Sequence, residues 1–164
     1  MSEYRVVPIG AADTHDLRLR VLRAGAPTSD VEWADDELDT TMHLGVADSS
    51  NTIIAISTWL TMPSPDVAGD GAAGVQLRGM ATDPSPATRG VGIGALLLRA
   101  GIETAREGDA DHIWANARTS VLGFYTLAGF EIVSDEFMSE ATDLPHHRIL
   151  LHLPRRHPLP ELHP

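Results

Sequence analysis

Apolar residues recur along the chain with two periods, two and 3.6, and the switches between them divide it into elements. Tyr4–Ile9 (YRVVPI) reads as a short first strand, with Pro8 suiting an edge. Asp13 or Thr14 caps a helix running to about Ala24, which Gly25 and Pro27 end. Met42–Ala47 and Thr52–Leu60 predict two strands joined at Ser49-Ser50-Asn51. Alternation returns at 75–81, with Val75, Leu77, Gly79 and Ala81 on one face and Gln76, Arg78 and Met80 on the other. Spacing then changes to helical over Gly92–Glu107, where Ile93, Leu96, Leu97 and Ala100 form one stripe and Gly108 the stop. His112–Ala117 is a further strand. Ser120 caps a short helix that groups Val121, Phe124, Tyr125 and Ala128 and ends at Gly129. Phe130–Phe137 and His147–Leu153 close the series as two strands.

Between these elements lie an acidic stretch and two loops. Residues 30–40 read as a solvated acidic face, with a short helix as an option. Residues 63–74 (PSPDVAGDGAAG) have the composition of a mobile surface loop, and 83–90 form a loop ahead of the long helix. The tail 154–164 holds four prolines and is expected to be disordered, leaving residues 1–153 as a single domain. The order is β-α-(α)-β-β-β-α-β-α-β-β, in which 75–117 is one β-α-β crossover. Its two strands should run parallel inside an otherwise antiparallel sheet, giving a three-layer α+β or mixed α/β fold.

Composition narrows the chemistry. The chain has 164 residues, 43% of them hydrophobic and 21% charged, a globular profile. It contains no cysteine, which excludes disulfide scaffolds, thiolate metal sites and a cysteine acyl-enzyme. All twelve basic residues are arginine, so Walker-lysine and Schiff-base chemistry are excluded too. A net charge of −11 disfavours nucleic acid and acidic membranes as partners. No apolar run approaches the ~18 residues of a membrane helix, and the first residues lack the apolar stretch of a signal peptide. The expectation is a soluble cytoplasmic protein.

Arg89-Gly90-Val91-Gly92-Ile93-Gly94 stands at the start of the long helix, where unpaired backbone N–H groups and the helix dipole favour an anion. Residues 90–95 also satisfy the dinucleotide fingerprint G-x-G-x-x-A, but the preceding strand ends near Ala81, eight residues too early. The R-x-x-G-x-G pattern of 89–94, reached by a loop from a mid-chain strand, resembles the pyrophosphate loop of the GNAT acetyltransferase superfamily. Phe124-Tyr125-x-x-x-Gly129-Phe130 is similar to that superfamily's second signature. Within it, Leu19–Arg23 (LRVLR), Gln76–Thr82 (QLRGMAT) and Trp114–Val121 (WANARTSV) resemble the glyphosate N-acetyltransferase family, as do His43-Leu44-Gly45 and Pro145-His146.

The resemblance implies the acyl-CoA N-acyltransferase fold and acetyl-CoA as cosubstrate, without a metal. It implies that Arg23, Arg78 and Arg118 hold the anionic groups of an acceptor, that His146 is the base on its amine, and that Tyr125 is the acid for the departing thiolate. Met80, Ala81 and Thr82 would meet the acetyl end of acetyl-CoA through their backbone, and Arg89, Gly90, Val91, Gly92, Ile93 and Gly94 its pyrophosphate, with Asn116 on the next strand as a further coenzyme-binding residue. The sequence departs from the family at Ala24-Gly25-Ala26-Pro27 and at a second histidine, His147, both near the inferred acceptor pocket.

Each residue also has a plainer role: Tyr125 as a packing aromatic, His146 as a half-exposed strand histidine, the arginines as ion-pair partners. Helical phase alone places Arg23 off the Leu17–Val21 stripe, and alternation points His146 and His147 to opposite faces, against a shared metal. The expected function is acetyl transfer to a small anionic amine by direct attack in a ternary complex. Acetylation of a protein, peptide or polyamine is the alternative, for which the acidic 35–39 would be useful. A non-catalytic acyl-CoA-binding module would keep 89–94 and dispense with Tyr125 and His146. An exposed edge strand leaves a homodimer open.

Overall fold

Eight strands form one sheet in the order β1-β2-β3-β4-β5-β8-β6, with β7 paired to β8 beside β6. In chain order they are β1 (Arg5–Ile9), β2 (Met42–Ala47), β3 (Ile53–Thr61), β4 (Gly74–Thr82), β5 (His112–Arg118), β6 (Glu131–Ile132), β7 (Phe137–Ser139) and β8 (Leu144–His152). These come from a computed structural model describing residues 3–69, 72–85, 87–88 and 90–154. A helical stretch follows β1: a 3-10 turn (Ala11–Thr14), α1 (His15–Leu17) and a π-turn (Arg18–Leu22). The long helix α2 (Ile93–Glu107) links β4 to β5, and α3 (Leu122–Leu127) follows β5. Among the described residues no helix is long and apolar enough to cross a membrane.

Every pairing is antiparallel except β4 with β5, as the crossover requires. That parallel pairing holds at Gly74↔His112, Val75↔Ile113 and Gln76↔Trp114 and then stops, although β4 continues to Thr82 and β5 to Arg118. A bulge accompanies the divergence. On β3, Ile56 faces Ala81 and Thr58 faces Arg78, so Gly79 and Met80 together oppose Ser57. Gly79 has φ +62°, and a Cβ there would sit 2.7 Å from the Trp33 ring, so this bulge requires glycine. It breaks the strict alternation expected across 75–81.

The core has two parts. α2 covers one face, where Ile93, Leu97 and Leu98 pack with Trp59, Leu77, Ile113 and Ile149. Its buried stripe is Ile93, Leu97, Leu98, Gly101 and Ala105, whereas Leu96 and Ala100 are only half-buried. Gly101 redirects the stripe, because a Cβ there would overlap the Trp59 ring. The first helical stretch covers the other face through Leu17, against Ile56 and Ala81. The result is three layers, as expected.

Local chemistry moves several boundaries. The first helical stretch starts at Ala11, and the Asp13 carboxylate accepts the Gly10 N–H at 2.9 Å, capping from inside the first turn. Ser120 lies inside a 3-10 turn (Thr119–Val121) and makes no capping bond, and Val121 and Ala128 are exposed. The expected strand 130–137 is two short strands: Val133 N–H still donates to the Arg148 carbonyl at 2.9 Å, but the Arg148 N–H goes to Ser134 Oγ at 2.7 Å and the ladder breaks there. The loop after β3 is anchored at its start: Ser64 N–H donates to His112 Nε2 at 2.9 Å, and Asp66 pairs with Arg148 at 2.8 Å. The acidic stretch is no uniform solvated face, since Asp36 is buried against two arginines. The proline-rich 155–164 lie outside the described residues.

Candidate active site

Divergence of β4 from β5 opens a cavity of about 350 Å³ in the middle of the sheet. Beyond Gln76 the edge of β4 that faces β5 has no ladder partner among the described residues, and Met80, Ala81 and Thr82 line the cavity there. Asn116 and Arg118 enter from the end of β5, Tyr125 from α3 and His146 from β8. Arg23 and Trp33 complete the lining from the first helical stretch and the segment after it.

All three arginines singled out in the sequence line this cavity. Arg23 Nε donates to the Asp30 carbonyl at 2.8 Å, and Arg118 Nη2 to the Leu22 carbonyl at 3.0 Å. Burial lowers the Arg23 pKa; Asp30 opposes this, while the nearby positive charges of Arg18 and Arg118 add to it. That mutual repulsion reflects how closely the guanidinium groups crowd. Arg78 differs in having a carboxylate of its own: Nη2 bonds Asp36 Oδ1 at 2.9 Å and the Ala34 carbonyl.

Behind these residues lies a network that sequence reasoning missed. Arg18 is fully buried and gives hydrogen bonds to Asp36 Oδ2 at 2.6 Å, Asp36 Oδ1 at 3.1 Å, Thr58 Oγ1 at 2.8 Å and the Val31 carbonyl at 2.9 Å. Burial alone would raise the Asp36 pKa, but hydrogen bonds from Arg18 and Arg78 outweigh it and hold the carboxyl below its usual range. The Trp33 ring lies among three guanidinium groups, 3.8 Å from Arg18, 5.0 Å from Arg23 and 5.6 Å from Arg78. A tryptophan inside an acidic stretch of a chain rich in arginine was the available signal.

Tyr125 and His146 are both buried at the cavity wall. Tyr125 is held edge-on by Phe124 and Phe130, with ring centroids 5.0 and 5.7 Å away, and its hydroxyl reaches the soft Met80 Sδ at 3.8 Å. Burial pushes its pKa up to about 12. His146 Nδ1 lies 2.8 Å from the Leu144 carbonyl, which can only accept, so Nδ1 carries a proton and Nε2 of the neutral ring is left with a lone pair. Phe137 stacks on the imidazole at 6.0 Å. His147 points away, with Nδ1 3.0 Å from Thr119 Oγ1, and is not part of the cavity lining.

At the start of α2, Gly90 has φ +71° and Gly92 φ +78°, a left-handed pair that turns the loop into the helix. Gly92 is the N-cap and has no side chain to bond the first-turn amides, whose donors are open to an anion. A Cβ at either glycine would meet nothing within 4 Å, so backbone shape and not crowding selects glycine there. Gly94 lies against Phe124, Ile93 is buried in the core and Val91 is exposed. These residues fit a pyrophosphate; Arg89 lies outside the described residues.

No protein-family model matches the chain. An uncharacterized N-acetyltransferase of Bacillus subtilis strain 168, YitI, is 28% identical over 132 residues, covering 80% of this chain and 85% of its own. A GCN5-related N-acetyltransferase from Kribbella flavida superposes with a TM-score of 0.66 at 17% identity, covering 92% of this chain and 98% of the other. FeeM, an N-acyl amino acid synthase from uncultured soil microbes, gives a TM-score of 0.71 at 14% identity over 91% of this chain and 89% of its own. With its one parallel crossover, split sheet and glycine turn, the chain has the GNAT acyl-CoA N-acyltransferase fold.

Proposed function

We propose that this protein is an acetyl-CoA-dependent N-acetyltransferase whose acceptor is a small amine carrying a carboxylate, phosphonate or phosphate. The observation that carries this reading is the meeting of Arg23, Arg78 and Arg118 in one cavity with Tyr125 and His146. Planar guanidinium groups recognise such anions with paired hydrogen bonds. The likeness to YitI, named an N-acetyltransferase, supports the reaction. FeeM, an N-acyl amino acid synthase of the same fold, supports an amino-acid-like acceptor. The resemblance of 19–23, 76–82 and 114–121 to glyphosate N-acetyltransferases points the same way.

In this reading the first-turn amides of α2 and the Gly90–Gly94 turn hold the pyrophosphate, and the free edge of β4 at Met80–Thr82 holds the acetyl end. Asn116 faces it from β5. The arginines fix the acceptor's anion, and the lone pair on His146 Nε2 takes a proton from its ammonium. The freed amine forms the new C–N bond as the C–S bond breaks, and the nitrogen then gives up its second proton to the departing thiolate, leaving the amide and the coenzyme thiol. Tyr125 keeps its proton throughout the working pH range. Complete transfer from a phenol of pKa about 12 to a thiolate of ordinary pKa ~8.5 would run uphill by about 5 kcal/mol, so Tyr125 stabilises the departing sulfur as a hydrogen-bond donor.

Acetylation of a cationic protein or polyamine has less to draw on in 35–39, where Asp36 is turned inward to Arg18 and Arg78 while Asp35, Glu37 and Asp39 stay exposed. A test is release of the coenzyme's thiol from acetyl-CoA with amino acids, aminophosphonates, polyamines and lysine-rich peptides. Anionic amines should lead. If polyamines or peptides outperform every anionic amine, the acceptor assignment fails.

A further inference from the structure

The hairpin between β7 and β8 brings a polar group to the cavity that the reaction just described leaves unused. Ser139 pairs with Leu144, and residues 140–143 make the turn, with Asp143 left-handed at φ +56° and its N–H on the Ser139 carbonyl at 2.7 Å. This short turn carries Thr142 into the cavity lining four residues ahead of His146. Thr142 Oγ1 is shielded from bulk water and meets no hydrogen-bond partner among the described residues. Arg78 Nε, from a residue of the same lining, is buried without a partner as well. Unpaired buried polar atoms are costly and uncommon in folded proteins, and two of them in residues that line one cavity call for a ligand rich in hydrogen-bond acceptors.

We propose that Thr142 is an acceptor-binding residue whose hydroxyl donates to an anionic oxygen of the acceptor beside its reacting amine. The proposal rests on the acetyl-transfer reading and sharpens its substrate class. A hydroxyl can donate or accept, but arginines supply much of the polar lining, so an acceptor selected by them presents oxygen atoms. Sharing a hairpin with the His146 base puts Thr142 at the amine end. The acceptor then needs enough anionic oxygens to reach both the arginines and Thr142, which favours an amino acid or aminophosphonate over an amine carrying one distant charge. The coenzyme is held elsewhere, by 80–82 and 90–94, so its binding should not depend on Thr142.

Thr142→Val removes the hydroxyl and keeps the branched shape, and Thr142→Ser keeps the hydroxyl. Steady-state rates with the best acceptor and melting temperatures of the free proteins are measured for both. Thr142→Val should raise the acceptor KM by ~10-fold or more, as expected for a lost hydrogen bond to a charged group, with the acetyl-CoA KM unchanged. Its melting temperature should stay level or rise, because the free protein loses an unpaired hydroxyl. Thr142→Ser should restore most of the acceptor KM. An unmoved acceptor KM in an active, folded Thr142→Val overturns the proposal. So does a raised KM with a fall in melting temperature and no rescue by serine, which marks a structural hydroxyl. Wild type that transfers acetyl to no anionic amine defeats the parent reading instead, and is seen before any variant is made.

Discussion

Asp36 joins Arg78 at 2.9 Å on the cavity side while its other oxygen is held at 2.6 Å by Arg18, which has no solvent exposure at all. One carboxylate therefore neutralises a core guanidinium and aims a cavity guanidinium. Removing it strands a buried charge, a change that costs on the order of 3–5 kcal/mol. Asp36→Ala should lower the melting temperature markedly, and Asp36→Asn somewhat less, since the amide keeps one acceptor. The pH dependence has a definite sign. Asp36 has a lower pKa folded than unfolded, so its stabilisation is complete above the ordinary carboxyl range near ~3.9 and is lost as pH falls through the folded value. Thermal melts from pH 7 downward should show that acid loss in wild type, and Asp36→Asn should lack that share of it.

Tyr125 and His146 should each act on turnover and leave coenzyme binding alone. Tyr125→Phe removes a hydroxyl whose sole partner among the described residues is Met80 Sδ at 3.8 Å, so the fold should tolerate it. Turnover should fall by ~10²-fold, the scale of losing one donor to developing charge, with acetyl-CoA affinity kept. Because burial holds the phenol protonated to about 12, the loss should be the same at pH 7 and pH 9.5. His146→Ala should lower turnover by ~10²-fold or more, the scale of losing a general base, with acetyl-CoA affinity kept. If both variants turn over like wild type, the two residues only pack.

The crossover from β4 through α2 to β5 was legible because two periods and a glycine turn mark it locally. Residues that depend on distant partners were not. Apart from Trp33, nothing near Asp36 in the chain announces its burial, which comes from Arg18 and Arg78 on other elements. Gly79 defeats counting by twos, because its left-handed backbone inserts an extra residue opposite Ser57. Arg23 looked misplaced on a 3.6-residue wheel for a similar reason. The stretch before it is a π-turn, with Arg23 N–H on the Arg18 carbonyl at 2.9 Å, and that wider turn shifts the phase toward the cavity. Only the family resemblance directed Arg23 there from sequence.

Gly92 tests the coenzyme site separately. At φ +78° a side chain costs ~1–2 kcal/mol, although there is open space around it. Gly92→Val should therefore remain folded with a slightly lower melting temperature. Coenzyme A at millimolar concentration should raise the wild-type melting temperature by mass action and leave that of Gly92→Val almost unmoved. An equal rise in both proteins would remove the pyrophosphate from this turn.

The three cavity arginines should not be equivalent, and the order follows from their partners. Arg23 and Arg118 make their hydrogen bonds to main-chain carbonyls, whereas Arg78 already answers to Asp36. An acceptor anion therefore draws most on the first two. Each charge-assisted contact is worth ~1.5–3 kcal/mol, so Arg23→Ala or Arg118→Ala should weaken acceptor use by about one to two orders of magnitude. Replacement by lysine should rescue little, because an ammonium group lacks the planar fork. Arg78→Ala should combine a smaller acceptor effect with a loss of stability, since it leaves Asp36 one hydrogen bond short. Kinetics with a fixed anionic acceptor and saturating acetyl-CoA, beside thermal melts of the same variants, read both quantities. Equal kinetic losses at all three positions, with unchanged melting temperatures, would mean that Asp36 does not claim Arg78 in the working enzyme.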